Sequence, residues 1–192
     1  MIKPYKILQI DDLAVIQQGI LDLMPIETLL EKKMRGTCYL YETSYIFERV
    51  PALATFFKKI GLENPDSIKI AMLFVPPRRL GPLHIDPPDF ATYSINIPII
   101  NCDNTFMHYF KSDSPGEKMI YEAAGKKVWT VDFKLEDCEL LEIQETNKPY
   151  IVNISIPHQY DNSQNDTHRY MLLCRIKRND LIADAIAASV FN

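Results

Sequence analysis

IKIAMLFV (68–75), TYSINIPII (92–100), TFMHYFK (105–111), KVWTVDF (127–133), YIVNISI (150–156) and HRYMLLCRIK (168–177) are the segments on which the fold turns. Each is a short apolar or alternating run. PPRRLGP (76–82), NCDN (101–104), KSDSPGE (111–117) and DNSQNDT (161–167) separate them with turn-forming residues. Runs of this length, punctuated by Pro, Asn and Asp, read as strands of an antiparallel region. Six strands within about 110 residues, with one or two more too short to place, predict a mainly β jelly roll, a cupin-like double-stranded β-helix. An open antiparallel sheet is the alternative.

Outward from the strands, the periodicity becomes helical. Leu13, Ile16, Ile20 and Leu23 recur at steps of three and four behind Asp11 and Asp12, which predicts a short amphipathic helix ending before Pro25. Pro51 suits a first helical turn, Leu53, Phe56, Phe57 and Ile60 share one side, and Gly61 supplies the stop. After Asn179, Leu181, Ile182, Ala185 and Ile186 predict a final helix covering apolar surface. The chain therefore reads as a single domain over residues 1–192. A mostly helical part, 1–66, packs on the sheet, the jelly-roll core spans 67–178, and a C-terminal helix occupies 179–192.

The 192 residues are 47% apolar and 24% charged, enough to bury a core, which excludes a disordered or fibrous chain. A net charge of -4 provides no overall basic field, so an obligate nucleic-acid partner is not expected. Cys38, Cys102, Cys138 and Cys174 form no C-x-x-C and read as free thiols in a reducing compartment. Residues 1–12 lack the apolar centre of a signal peptide, and no apolar run approaches the roughly 20 residues of a membrane helix. A cytoplasmic protein without a membrane partner is the expectation. Nothing in the pattern sets an oligomeric state.

The four histidines, His84, His108, His158 and His168, bound the search for an imidazole-based site. His84 and Asp86 form an H-x-D pair in GPLHIDPPD (81–89), and side chains two apart on an extended segment project to the same side. Four histidines among 14 aspartates yield about 0.3 such pairs by chance, so the pair needs a third ligand. His158, where an apolar strand ends in Ile-Pro-His, supplies a candidate. Two histidines and one carboxylate make the facial triad that holds non-haem Fe(II) with open coordination positions. Farther on, Arg169, Met171, Leu173 and Arg175 alternate onto one face. A guanidinium on an apolar pocket wall is costly unless it meets an anion, ideally a carboxylate in bidentate geometry. Arg169, 11 residues after His158, is placed for that role.

This order of residues resembles the Fe(II)/2-oxoglutarate-dependent oxygenases, built on a double-stranded β-helix. The combination HID, SINIPIINCDNTFMHYF, IPHQYDN and HRYMLLCRI looks like small phage and marine-bacterial members, distantly similar to the aspartyl/asparaginyl and prolyl hydroxylases. The resemblance covers residues 68–178. It implies Fe(II) on His84, Asp86 and His158, 2-oxoglutarate as co-substrate with its distal carboxylate on Arg169, and O2 as oxidant. Arg175 is the reserve for that anchor. Asn96 and Tyr93, on the strand after H-x-D, stand where the family often places co-substrate contacts. Hydroxylation of an amino-acid or protein side chain, or of a small metabolite, is the implied outcome.

Other residues admit simpler readings. Asp86 could merely cap a turn. Arg79, beside Arg78 in the loop before H-x-D, is a solvated charge or greets a substrate at the pocket mouth. His108 is a packed strand residue or a pocket residue, His168 should face away from the site, and Trp129 reads as core. Two further functions fit the same pattern: a cupin-like metal-binding protein that does not use 2-oxoglutarate, and a non-catalytic jelly-roll interaction domain.

Overall fold

The computed structural model describes residues 3–25, 36–39, 42–86, 91–123 and 126–177. Among these residues, three α-helices, α1 (Leu13–Leu23), α2 (Thr43–Arg49) and α3 (Pro51–Lys59), lie in the N-terminal third. They accompany β1 (Tyr5–Ile7) and β2 (Gly36–Tyr39). The remaining strands are β3 (Ile68–Val75), β4 (His84–Ile85), β5 (Ala91–Ile100), β6 (Phe106–Ser112), β7 (Glu117–Ala123) and β8 (Lys126–Asp132), then β9 (Cys138–Glu145), β10 (Tyr150–Asn153), β11 (His158–Asp161) and β12 (Arg169–Lys177). They form two six-stranded antiparallel sheets, ordered β1-β10-β5-β12-β3-β2 and β7-β8-β4-β11-β6-β9. Successive strands from β3 to β6 alternate between the sheets, as do β9 to β12, which is the winding of a jelly roll.

The first sheet is covered on both sides, so its strands read as almost continuous apolar runs. From β3, Ile70, Met72 and Phe74 face the helices and join Ile16, Ile20, Leu53 and Phe57 in one core. Ala71, Leu73 and Val75 alternate onto the other side, where Met107, Tyr109, Tyr150, Met171 and Leu173 form a second core between the sheets. β12 pairs with β3 and β5 and divides the same way, Leu172 and Cys174 toward the helices, Met171 and Leu173 inward. His168, just before it, stacks on Phe74 with ring centroids 4.8 Å apart, away from the inter-sheet space as expected.

Several expectations are corrected. The segment read as one strand over 150–156 splits at a turn after Asn153. Six strands rather than one or two lay outside the sequence reading: β1, β2, β4, β7, β9 and β11. β1 and β2 add to the two edges of the first sheet, so the N-terminal part contributes strands as well as helices. Trp129 is not core: it is half-buried, with the Lys118 ammonium 4.2 Å from its ring centroid, because β8 and β7 extend the second sheet at its edge. The helix expected over 179–192 and the residue pair Pro87 and Pro88 lie outside the described residues. Gly61 ends α3 at φ 80°, a conformation that favours glycine. Among the described residues no helix is long and apolar enough to cross a membrane.

Candidate metal centre

β4 and β11 are only two and four residues long, yet both belong to the second sheet and place His84 directly opposite His158. Their rings lie 4.7 Å apart, centroid to centroid. Asp86 follows two residues later, on the same side as His84, and its main-chain N–H donates to the Ile154 carbonyl at 3.2 Å. One ligand atom from each of His84, Asp86 and His158 falls within 4.8 Å of the others, a spacing that one metal ion can bridge.

The imidazoles are oriented from behind. His84 Nδ1 lies 3.0 Å from the Pro82 carbonyl and His158 Nδ1 2.8 Å from the Ile156 carbonyl. A carbonyl only accepts, so each Nδ1 carries a proton, which in the neutral ring leaves Nε2 the lone pair a metal requires. Burial, with the charge of His84, lowers His158 from its usual 6.5 to about 4 against the opposing pull of Asp86, which keeps it neutral near pH 7. Burial alone would push the Asp86 carboxyl up. Arg175, together with the two imidazoles, outweighs this and holds it below the ordinary range.

These ligands line an open pocket with Leu73, Met107, Val152, Ile154 and Leu173 as apolar walls and Ser94, Asn96, Tyr150 and Tyr160 as polar ones. Arg169 and Arg175 also line it, both projecting from the inward side of β12. Arg169 is fully buried, and among the described residues none of its three guanidinium nitrogens has a hydrogen-bond partner. Its charge, with the neighbouring Asn96 amide, opposes the burial-driven rise of the Tyr150 hydroxyl. Asn96, the register partner of Tyr150, accepts from the Ser94 hydroxyl at 2.6 Å.

Other sequence candidates are placed elsewhere. Arg175 is not free to anchor a ligand, because its Nη2 donates to Asp86 Oδ1 at 3.0 Å. Tyr93 packs toward the helical core, the pleat that points Ser94 and Asn96 into the pocket turning it away. His108 alternates with Met107 and Tyr109 and so faces outward, 3.6 Å from Asp161. Arg79 is exposed and does not line the pocket; it lies against the Tyr160 phenol from outside, its charge restraining the rise that burial imposes there. Tyr150 and Tyr160 were missed by sequence reading. Tyr160 had a signal in the two-residue step from His158. Tyr150 had none, since only the pairing of β10 with β5 brings it to Asn96. Gly81 had none either, although a side chain there would overlap the Tyr160 ring.

No protein-family model matches the chain, and no curated protein matches it. Among solved structures, a mutant of Bacillus subtilis oxalate decarboxylase is similar over 58% of this chain and 22% of its own, with 17% identity and a TM-score of 0.34. The same enzyme at pH 4.6 is matched over 65% of this chain and 24% of its own, at 18% identity and a TM-score of 0.34. The chain thus spans under a quarter of the length of these structures.

Proposed function

We propose that this chain is an Fe(II)- and 2-oxoglutarate-dependent dioxygenase that hydroxylates an amino-acid or protein side chain, or a small metabolite. The observation that carries this reading is Arg169, a fully buried guanidinium in the wall of the pocket that contains the triad, with no hydrogen-bond partner among the described residues. A buried cation without a partner is costly, and a bidentate carboxylate is the ligand that best removes the cost. The charges in the pocket wall support the same conclusion. Among the described lining residues Asp86 is the one acid, and Arg175 is already paired with it, so Arg169 has no acid of its own there. A divalent ion on the triad adds further positive charge, and a dianion with two carboxylates balances both ends of the pocket.

Fe(II) bound there, with 2-oxoglutarate and O2, supplies the oxidising power. The residues of the chain bind and orient. His84, Asp86 and His158 would present three ligands and leave other positions open, as non-haem oxygenases require. Arg169 would hold the distal carboxylate, with the Tyr150 hydroxyl and the Asn96 amide close by. Leu73, Met107, Val152, Ile154 and Leu173 line the space between with apolar surface.

The coarser reading, a cupin-like metal-binding protein that does not consume 2-oxoglutarate, rests on the triad geometry alone. An anaerobic titration with Fe(II) and then 2-oxoglutarate separates the two. A weak visible charge-transfer band that vanishes in His158→Ala and weakens in Arg169→Met supports the oxygenase. Fe(II) binding without a band leaves the metal-binding jelly roll, and no metal binding leaves an interaction domain.

A further inference from the structure

β12 sends two arginines into the same pocket, and the proposed function uses only one of them. Arg175 differs from Arg169 in one respect: it already has an anion. Its Nη2 lies 3.0 Å from Asp86 Oδ1, and the two side chains are 13% and 11% exposed. The contact joins residues 89 positions apart and crosses from the first sheet to the loop leaving β4 of the second. Asp86 is therefore held at two points, by the Ile154 carbonyl at its main-chain N–H and by Arg175 at one carboxylate oxygen. Oδ2 has no hydrogen-bond partner among the described residues.

We infer that Arg175 is a positioning residue of the metal centre rather than an alternative anchor for the co-substrate: by engaging Asp86 Oδ1 it fixes the carboxylate rotamer and leaves Oδ2 as the single oxygen offered to the metal. This rests on the reading of His84, Asp86 and His158 as metal ligands. Each ligand then has its own backing, a carbonyl two residues upstream for either histidine and a guanidinium from the opposite sheet for the aspartate. The two arginines, six residues apart on one face, divide the work. Arg175 acts on the metal and Arg169 on the organic anion. A neighbouring group that orients a ligand typically changes metal affinity by about 10–100-fold when removed.

The test uses Co(II) alone as the probe, titrated calorimetrically and by its visible d–d bands into the wild-type chain, Arg175→Met, Arg175→Lys and Arg169→Met. The expected result is a loss of about 10–100-fold in Co(II) affinity and altered d–d bands for Arg175→Met. Part of both should return in Arg175→Lys, and Arg169→Met, which keeps the Asp86 contact, should show no such loss. If Arg175→Met does not fold, Arg175→Gln, too short to span the contact, reports the same loss. Wild-type affinity and bands in the folded Arg175 variant overturn the inference, as does an equal loss in Arg169→Met. A wild-type chain that binds no Co(II) overturns the metal reading itself, a separately recognisable result.

Discussion

The two cores of this molecule sit on opposite sides of one sheet and are built to different rules. On the helix side, Ile16, Ile20, Ile46, Leu53, Phe57, Met72 and Leu172 pack without a buried charge among them. On the inter-sheet side, Met107, Tyr109, Val152 and Met171 share their space with Asp86, Ser94, Asn96, His158 and Arg169, all buried. The difference teaches where stability and function are kept apart. β12 makes the division visible along one strand, since its alternate residues serve either core. The helix-side core stabilises the sheet, and that stability holds in place the unfavourable burial of Arg169 on the other side.

The largest effect should come from breaking the helix side. Phe57→Ala, at a fully buried ring, should cost about 3–5 kcal/mol in denaturant unfolding. At temperatures where the variant stays folded, metal affinity should be unchanged. Acid should act on the other core. His158 titrates at about 4 when folded against roughly 6.5 in an unfolded chain, so the unfolded state binds the proton first. The stability it contributes is present above pH 6.5 and is lost as the pH falls toward 4, about 3 kcal/mol in all. Stability curves of the metal-free protein against pH check this, and His158→Gln should flatten them over that window.

Removing one of the three proposed metal ligands should separate metal binding from stability. His158→Ala should lower Fe(II) affinity by more than about 100-fold, beyond the loss usual for a residue that only orients a ligand. Arg169→Met sharpens the comparison further. It should weaken 2-oxoglutarate binding at least about 10-fold while the melting temperature stays level or rises, because a buried charge without a partner is replaced by an apolar side chain. A fall in melting temperature would instead make Arg169 a structural residue. The smallest effect belongs to the rim: Lys118→Ala, removing the ammonium over Trp129, should cost about 0.5–1 kcal/mol and leave metal binding untouched.

Strands with both faces covered were legible, as β3, β5 and β12 show, because a strand between two cores must be apolar almost throughout. β7 and β9 were not. Met119, Ile120, Leu140 and Ile143 are exposed on these edge strands, so their alternation follows no core. β4 and β11 are too short to carry any period, and pairing alone makes them strands. At the site, His84, Asp86 and His158 were legible through spacing and residue type, as was the shared face of Arg169 and Arg175. Which arginine has a partner was not, because the Asp86 carboxylate comes from 89 positions away.

By itself the sequence determined the class of fold, the single H-x-D pair, the few histidines able to join it, and the inward parity of β12. These are local properties, set by the two-residue period of a strand and by the chemistry of each side chain. Only the tertiary structure decided that His84 faces His158, that Tyr150 meets both Asn96 and Arg169, and that Arg175 is committed to Asp86. Contacts between distant segments depend on strand register and sheet stacking. Both are chosen by the packing of the whole chain rather than by any stretch of it.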